Sequence, residues 1–596
     1  SANDGSGAVQ VWEANTGKRL GVGFAMTNSV DAVALPKDGP AIAFGFYYNT
    51  LQIWTVPGKL LTPQDGHFGP VGNIHFTADS KEILTGGQDG RIVRWDAATG
   101  EELESFGYAN PSLASRVTPR AIPAMARRPL GGRSVRWTNS WSVYNGTLAP
   151  DAQTIYVPSG NGGVAVVDLA SGQEQYTLFF PNSRNGSSST KPSLSRDGKR
   201  VGAAGQYYDR NKYIFTAAAW DTETGKVLAE LRKELDNNVS YINGMSTAVS
   251  ADGNYFGVLC NIQDQRNGQS FLEFTSFDLR DGRQLAAGGT ANRTYSPYLL
   301  PSPDNRSAVS LDQQQNKLLV WDLPTGKQTR AFTGFANGIA FPPTFHPTGR
   351  TFAVPAYSIL DQQAGTTRQV VRIVEWASGE TRMELGTNSL AITALSYSPD
   401  GRTLAVGWQD STVLVFDATG DDAPKPWKDK PTAPEKLWDA LSGKSAREAW
   451  AAMRELTERP DVALALVREH VKPVAAPPLP TAEEVAKLIG SLDAPAFAAR
   501  ETAMKDLKRY GKMVETELRK AMDTTPSPET KERIEKLLTA IAKPVTPNPT
   551  EARAVELLER IGNAESKAEL ARLAAGDPAS LMTQDAAASL KRLGGK

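Results

Sequence analysis

The chain has 596 residues, of which 40% are hydrophobic and 22% charged, and this is enough apolar material for two or more folded domains. Lys plus Arg and Asp plus Glu each total 65, so the formal net charge is zero, which argues against a protein that coats nucleic acid or anionic membrane with its whole surface. One cysteine, Cys260, excludes an internal disulfide, and four histidines disfavour a His-rich metal site, so no metal or cofactor is predicted. No run approaches the roughly 18 apolar residues that a transmembrane helix needs.

A repeated sequence unit fills the first two thirds of the chain. Its most regular part is an apolar strand that ends in Trp and an acidic residue and is followed by a Thr-Gly turn. The clearest copies have their tryptophan at Trp12, Trp95, Trp220 and Trp321. Weaker copies end at Trp54, Asp168, Asp278, Glu375 and Asp417, which makes nine in all. Self-similarity of this kind predicts a repeat architecture.

A second repeated element, a tight turn, lies upstream of most of these strands. Examples are Ser398-Pro399-Asp400-Gly401-Arg402 and Ser195-Arg196-Asp197-Gly198-Lys199. Pro-Asp and Asp-Gly supply the backbone angles that a short chain reversal needs. The unit therefore consists of strands separated by turns, at a spacing of about 40 to 55 residues, which is typical of a four-stranded propeller blade.

The repeat resembles the WD40 family of β-propellers over roughly residues 1 to 420. One copy carries nearly the full signature of that family: Gly66-His67, then Thr85, Asp89-Gly90 and Trp95-Asp96. The resemblance implies that His67, Thr85, Asp89 and Trp95 form a structural hydrogen-bond network, so His67 is not a catalytic candidate. Blades that lack this histidine are expected to depend on packing alone.

The number of blades is left open by the sequence. Residues 1–57 begin in the middle of a repeat, so Ser1 is not expected to be the start of the gene, and any signal peptide or upstream domain would lie in the part that precedes it. Residues 58–420 contain seven third strands, and Lys59-Leu60-Leu61 can supply the outer strand that closes a seven-bladed ring. Residues 1–57 would then end a preceding propeller. The alternative is one ring of eight or nine blades.

The last third of the sequence changes its apolar period from two to 3.6, which predicts helices. A proline-rich linker is predicted at 421–434 and an all-α domain at 435–596, with a break at the proline-rich stretch 472–480. Ser445 with Glu448 and Thr481 with Glu484 have the spacing of capping boxes that begin helices. Leu437 to Leu441 and Phe497 to Glu501 resemble the HEAT-like tail of bacterial WD40 proteins, which implies an α-solenoid or a helical bundle.

Three motifs that could indicate catalysis are better explained by the repeat or by a helix. Gly160-Asn161-Gly162-Gly163 resembles a dinucleotide loop, but a strand follows it instead of a helix. Gly443-Lys444-Ser445 resembles the end of a P-loop, but Trp438 stands where that motif requires Gly, and we interpret it as a helix start. Ser188-Ser189-Thr190-Lys191 has the spacing of a Ser nucleophile with a Lys base, but it lies in a Gly- and Ser-rich loop.

The remaining histidines do not form a cluster in the sequence. His75 is predicted in a strand, His346 in a turn and His470 in a helix. No catalytic, cofactor-binding or metal-binding residue is therefore predicted.

One insertion has an unusual charge. No Asp or Glu occurs from Ser105 to Pro150, and this stretch contains Arg116, Arg120, Arg127, Arg128, Arg133 and Arg136, with Trp137, Trp141 and Tyr144 close in sequence. Clustered arginines with aromatic residues can bind a polyanion or the acidic groups of a protein partner. The alternative is a solvated loop, or one paired with carboxylates elsewhere in the chain.

The leading hypothesis for function is a non-catalytic scaffold that presents propeller faces and a helical surface to other proteins. An alternative is the sensor or docking region of a larger signalling protein. A third alternative is a propeller enzyme, which would require a metal or a cluster of carboxylates and histidines in the central channel. The resemblance to bacterial WD40 proteins with a helical tail, many of them exported, favours the periplasm or cell envelope over the cytoplasm.

Overall fold

A computed structural model describes residues 7–9, 24–26, 30–34, 41–46, 51–55, 67, 71–87, 91–107, 146–151, 153–159, 162–168, 174–181, 188–209, 212–236, 240–264, 270–290, 298–312, 317–333, 343–361, 366–388, 391–408, 413–421, 424–475, 480–524, 527–541 and 546–594. The chain divides into two compact units. The first unit comprises residues 1–372 and 384–420, and the second comprises residues 373–383 and 421–596.

The first unit is built from small antiparallel sheets. Near the N-terminus, β1 (Gly7–Val9) pairs with β2 (Phe24–Met26), and β3 (Val30–Ala34), β4 (Ala41–Phe46) and β5 (Leu51–Thr55) form a separate sheet. Blade 1 contains β6 (Val71–Phe76), β7 (Glu82–Gly87), β8 (Arg91–Asp96) and β9 (Glu102–Gly107). Blade 2 contains β10 (Thr147–Leu148), β11 (Thr154–Ser159), β12 (Gly163–Asp168) and β13 (Glu174–Phe179).

Blades 3 and 4 have longer strands than their neighbours. Blade 3 contains β14 (Ser188–Ser189), β15 (Ser193–Leu194), β16 (Arg200–Asp209), β17 (Lys212–Asp221) and β18 (Val227–Asp236). Blade 4 contains β19 (Ser240–Val249), β20 (Tyr255–Asp264), β21 (Ser270–Asp278) and β22 (Gln284–Thr290).

Three further blades follow in the same strand order. Blade 5 contains β23 (Leu300–Pro301), β24 (Ser307–Asp312), β25 (Lys317–Asp322) and β26 (Lys327–Phe332). Blade 6 contains β27 (Thr344–Phe345), β28 (Thr351–Asp361), β29 (Thr366–Glu375) and β30 (Thr381–Asn388). Blade 7 contains β31 (Ile392–Tyr397), β32 (Thr403–Trp408) and β33 (Val413–Asp417) among the residues described.

The strong and weak copies of the repeat occupy one structural position. At the end of the third strand in blades 1 to 5, the register to the fourth strand shifts by one residue. The residue at this bulge is Trp95, Val167, Trp220, Phe277 or Trp321 in the successive blades. An extra residue in one strand bends the ladder and increases its twist. The prediction of a blade repeat is confirmed, including its copies without tryptophan.

The turn after each third strand explains the spacing from the acidic residue to Thr-Gly. The Asp96 carboxylate accepts hydrogen bonds from the backbone N–H groups of Ala98 and Thr99, at 2.9 and 2.8 Å, and from the Thr99 hydroxyl at 3.0 Å. These bonds, those from Thr99 above all, lower the pKa of Asp96. Gly100 completes the turn at a φ of 74°, a left-handed conformation that favours glycine.

Blade 7 packs directly against blade 1. Val71, Ile74 and Ile83 of blade 1 share one apolar cluster with Ala394 and Ala405 of blade 7. The seven blades therefore close into one ring, which is the seven-bladed alternative and not a ring of eight or nine. The segment Lys59-Leu60-Leu61, predicted as the closing outer strand, lies outside the described residues.

We expect a disulfide to form across this closure in the variant Ser80→Cys/Asp400→Cys. The backbone N–H of Asp400 donates to Ser80 Oγ at 3.4 Å, so the two residues are direct neighbours across the closure, as a disulfide requires. Cys260 can stay in place because it is buried, and burial raises the pKa of its thiol and makes it unreactive. Thiol counting and a non-reducing gel report the bond, and Ser80→Cys/Lys199→Cys is the unbridged control. Free thiols at both 80 and 400 after oxidation would contradict closure between these blades.

The second unit contains ten α-helices among the residues described. They are α1 (Pro434–Ser442), α2 (Ala446–Thr457), α3 (Pro460–His470), α4 (Ala482–Ser491), α5 (Phe497–Tyr510), α6 (Glu515–Asp523), α7 (Pro528–Ile541), α8 (Pro549–Ile561), α9 (Ala564–Ala574) and α10 (Leu581–Gly594). Short 3-10 helices occur at Pro426–Lys428 and Gly511–Val514. Within the described part of the chain, no helix is long and apolar enough to cross a membrane.

The helices have two apolar cores. Helices α1 to α3 and α8 to α10 share the first core, which includes Leu441, Leu456 and Leu558. Helices α4 to α7 share the second, which includes Leu507 and Ile534. The chain therefore leaves the first core after α3, builds the second, and returns with α8. The proline-rich stretch 472–480 lies between α3 and α4, which is where the chain leaves the first core.

Both predicted helix starts are confirmed. Ser445 Oγ accepts the Glu448 N–H at 3.3 Å, and Thr481 and Glu484 form a reciprocal capping box. The segment Gly443-Lys444-Ser445 is therefore the approach to α2, as its interpretation as a helix start requires.

Candidate functional site

Three of the four residues of the predicted network lie together in blade 1. His67 Nε2 lies 2.6 Å from Thr85 Oγ1, and Trp95 Nε1 donates to the same oxygen at 2.8 Å. Thr85 is fully buried and His67 is 5% exposed. Asp89 lies outside the described residues. The His67 ring is thus occupied by contacts within its own blade.

Blade 5 corrects the expectation that blades without the histidine depend on packing alone. Trp321 Nε1 donates to Ser310 Oγ at 2.8 Å, and both side chains are buried. Ser310 lies in the second strand and Trp321 in the third, as Thr85 and Trp95 do in blade 1. A serine in the second strand is sufficient for the bond, so half of the network persists without histidine.

His346 is a turn residue, as predicted, and it also contacts the next blade. Its Nδ1 lies 2.8 Å from Thr348 Oγ1 within the turn. Its Nε2 lies 3.1 Å from the carbonyl oxygen of Gly401 in blade 7, and its ring is edge-on to Tyr397 at 5.2 Å. His346 therefore joins the turns of two adjacent blades.

A bulge in the inner strand of blade 3 contains Lys191. Ser189 pairs with Gly205 and Ser193 with Gly202, so three residues, Thr190 to Pro192, face two in β16. Pro192 has no N–H to donate to the ladder, which accounts for the interruption. An extra residue at such a point redirects a side chain.

Lys191 reaches from blade 3 to blade 1. Its Nζ donates to Asn73 Oδ1 in β6, and the Thr147 hydroxyl of blade 2 donates to the Pro192 carbonyl at 2.6 Å. Blades 1 and 3 are separated by blade 2, whose inner strand β10 has two residues. This contact therefore joins two blades that are not neighbours in the ring.

Two titratable groups at this position have perturbed pKa values. The Lys191 side chain is reachable by solvent, yet protein encloses it closely, and this burial lowers the pKa of its amine to about 8. Burial, followed by the charge of Lys191, lowers the pKa of His75 to about 3, so the ring of His75 is neutral at physiological pH. A narrow cleft beside them is lined by Asn73, His75, Gly86, Ile92, Gly146, Leu148 and Ile155.

Other residues of interest from the sequence have ordinary structural positions. Gly162 and Gly163 lead directly into β12, so the dinucleotide-like glycines belong to a blade hairpin. His470 stacks on Trp438 at 4.3 Å in the helices. Over the described ranges, no group of three or more His, Cys, Asp or Glu side chains could hold a metal ion. The six arginines from Arg116 to Arg136 lie outside those ranges.

A buried ion network in the second unit was not predicted from the sequence. Glu375 is 2% exposed and Arg553 is 1% exposed. Arg553 donates to the two carboxylate oxygens of Glu375 at 3.0 and 2.7 Å, and Arg382 donates to Glu375 at 2.9 Å. Arg382 also makes two bonds to Glu556, at 2.8 and 2.6 Å. Burial alone would raise the pKa of Glu375, but the two arginines lower it below its usual value.

Comparison with known proteins agrees with this fold. Residues 58–96 and 379–417 match the WD40 family, described as WD domain, G-beta repeat. The F-box-like/WD repeat-containing proteins TBL1Y of Homo sapiens and TBL1X of Mus musculus are 32% and 34% identical to the chain over 71 residues. Two segments of the chain thus match the WD40 repeat, within a seven-bladed β-propeller that is followed in the sequence by helices.

The extent of these similarities is limited. The matches to TBL1Y and TBL1X cover 12% of this chain and 14% of each relative. Protein tipD of Dictyostelium discoideum is 22% identical over 253 residues, which is 40% of each chain. All three relatives come from eukaryotes, and the chain spans less than half of their length.

Proposed function

We propose that the protein is a non-catalytic scaffold that binds other proteins through the faces of its propeller and a surface of its helices. The observation that carries the proposal is that the polar residues of the repeat form hydrogen bonds within their own blade. His67 and Trp95 both bond to Thr85, and Asp96 accepts a hydrogen bond from Thr99 in its own turn. The residues that define the repeat therefore maintain the blades, and the variable loops between strands remain for recognition.

The helices provide a second surface in this proposal. The resemblance of residues 437–441 and 497–501 to the HEAT-like tail of bacterial WD40 proteins supports this part. Helices that pack along one apolar stripe present their polar face outward. The relatives TBL1Y and TBL1X are themselves named as WD repeat-containing proteins, which is in keeping with a repeat scaffold.

The arginine-rich insertion is the contact that we assign to an acidic protein partner. It contains six arginines and no acidic residue from Ser105 to Pro150, in a chain whose net charge is zero. Guanidinium groups bind carboxylates through two parallel hydrogen bonds, and aromatic neighbours add stacking surface. A local excess of positive charge is thus available for an acidic segment.

We expect the variant that lacks residues 107–136 to lose salt-sensitive binding of a labelled polyglutamate peptide. Fluorescence anisotropy of the peptide gives the dissociation constant, which should weaken at least about tenfold between roughly 50 and 200 mM salt for the unaltered chain. The matched control replaces all six arginines by lysine and should keep the salt dependence, whereas six glutamines should abolish it. Unfolding temperature checks the fold of each variant. Equal peptide binding by the deletion variant and the unaltered chain would refute this contact.

A further inference from the structure

Blade 7 differs from the other blades at its outer edge. Among the residues described, it consists of three strands, and β33 pairs with β32 alone. In blades 1 to 6 the chain turns after the third strand and returns as a fourth strand. After Asp417 it continues to the 3-10 helix Pro426–Lys428 and then to α1. Over the described ranges, the residues that follow β33 therefore supply no fourth strand.

The exposure of β33 agrees with an uncovered edge. Leu414 and Val415 are 47% and 42% exposed. The residues at the same positions in the third strand of blade 5, Leu319 and Val320, are 2% and 1% exposed. Successive residues of a strand face opposite sides of its sheet. Apolar surface is therefore exposed on both sides of blade 7, where an outer strand would bury it.

The main chain of β33 directs hydrogen-bonding groups outward at alternate residues. The Ala418 N–H donates to the Arg402 carbonyl oxygen at 2.8 Å, in the same register as the ladder between β32 and β33. Antiparallel ladders alternate between hydrogen-bonded and non-hydrogen-bonded pairs. Leu414 and Phe416 therefore bond to β32, and the N–H and C=O groups of Val415 point to the outer edge. An added strand can pair with these groups.

The sequence of β33 also differs from that of the outer strands in other blades. Those strands carry charged residues, which discourage pairing with a further strand. Examples are Glu102 and Glu104 in β9, Arg232 and Glu234 in β18, and Lys327 and Arg330 in β26. From Val413 to Phe416, β33 carries no charge. An incoming strand therefore meets no charge that could pair with one of its own, and this edge favours an uncharged segment.

We propose that the outer edge of blade 7 is a docking site at which a protein partner adds an extended, uncharged segment as a fourth strand, antiparallel to β33. The main-chain groups of Val415 supply hydrogen bonds, and pockets beside Leu414 and Val415 receive apolar side chains on the two sides of the sheet. Recognition of this kind depends on the extended main chain and on β-branched or apolar side chains. This inference rests on the scaffold function and names the chemistry of one partner contact.

The test measures binding of a labelled peptide of alternating valine and threonine, with a lysine at each end, to the full chain by fluorescence anisotropy. Two N-methylated forms of the peptide are matched controls. Methyl groups on two alternate amides block one edge of the peptide and should leave binding nearly unchanged, because the other edge still pairs. Methyl groups on two successive amides block both edges and should weaken binding by about tenfold or more. No binding of the unmethylated peptide, or equal binding of the two methylated forms, would overturn the proposal.

The variant Val415→Pro tests the edge from the side of the protein. Proline removes the outward N–H and leaves the bonds of Leu414 and Phe416 to β32 in place, so it is compatible with an edge strand. Peptide binding should weaken by about threefold to tenfold, the effect of one lost hydrogen bond. Val415→Thr keeps the N–H and the branched side chain and should bind as the unaltered chain does. Equal binding by the proline variant would refute pairing at this edge. If that variant does not fold, the two methylated peptides still decide the question.

Other occupants of the edge give different results. Peptide binding that occurs only in the variant Leu60→Pro/Leu61→Pro would show that the chain's own segment at these positions covers β33, and it would overturn the proposal. A dimer of the unaltered chain that Val415→Pro converts to a monomer would assign the edge to a second copy, with the same consequence. A chain that binds protein partners through its loops but not the peptide would retain the scaffold function and lose this site.

Discussion

Replacement of Arg553 by methionine is expected to lower the free energy of unfolding of the second unit by about 3 to 5 kcal/mol. Glu375 accepts two hydrogen bonds from Arg553 in a position almost without solvent, and Arg553 also donates to the carbonyl oxygens of Leu441 and Gly443 at 2.9 and 2.6 Å. Methionine fills a similar volume but leaves the buried carboxylate with fewer donors. Urea unfolding followed by helical circular dichroism measures the change.

Two controls show whether the buried pair is responsible. Lys536→Met removes an exposed ion pair with Glu532 in α7 and should cause no measurable loss of stability. The double variant Glu375→Gln/Arg553→Met should be less destabilised than the sum of its single variants, because the groups share one network. A loss below about 1 kcal/mol for Arg553→Met would contradict a stabilising role for this pair.

The same network predicts a dependence of stability on pH. The folded-state pKa of Glu375 lies below its ordinary value, so its contribution is present above the ordinary glutamate pKa and is lost as pH falls through the folded value. The variant Glu375→Gln should therefore show a shallower loss of stability on acidification than the unaltered chain. An identical acid limb for both proteins would contradict the lowered pKa.

Substitution of Gly401 by alanine is expected to destabilise the propeller by about 3 kcal/mol, compared with about 1 to 2 kcal/mol for Gly100→Ala. Both glycines have a φ of 74°, so the backbone strain of the two substitutions is matched. They differ in their surroundings. A Cβ added at Gly401 would overlap the His346 ring, whereas a Cβ added at Gly100 would have no neighbouring atom within 4 Å. The difference between the two variants, measured by thermal unfolding, isolates the contact between blades 6 and 7.

A second substitution tests the cause of that difference. His346→Ser places at this turn the residue that other repeats have, and it removes the ring that the new methyl group would meet. The double variant His346→Ser/Gly401→Ala should be more stable than Gly401→Ala alone. Equal losses for Gly401→Ala and Gly100→Ala would show that the ring does not constrain this turn.

Local chemistry made the blades predictable from the sequence. Asp96 and Thr99 bond within one turn, so their spacing reports that turn wherever it recurs. The closure of the ring was left open because it depends on ordinary apolar residues such as Ile74 and Ala394, which are far apart in the chain and form no motif. The number of blades in the ring is therefore set by the packing of blade 7 against blade 1, which no local motif reports.

The polar contacts of greatest interest were hidden for the same reason. Asn73 and Lys191 are separated by 118 positions, and Glu375 and Arg553 by 178. Pro192 was a signal for the first, because it cannot donate within an inner strand and marks the bulge. Arg553 has no comparable signal, since an arginine in the first turns of an amphipathic helix normally faces solvent.

Photo-crosslinking of the full chain in its own cell, followed by reconstitution, decides whether the protein is a scaffold. We expect a defined protein partner to be captured, to bind the purified chain in a fixed ratio, and to crosslink to loops of the propeller. Binding should be weakened in Trp321→Ala, which removes the buried bond to Ser310 and destabilises blade 5 by about 3 to 5 kcal/mol. Failure of every captured protein to bind the purified chain, together with saturable turnover of a small molecule by that chain, would contradict a non-catalytic scaffold.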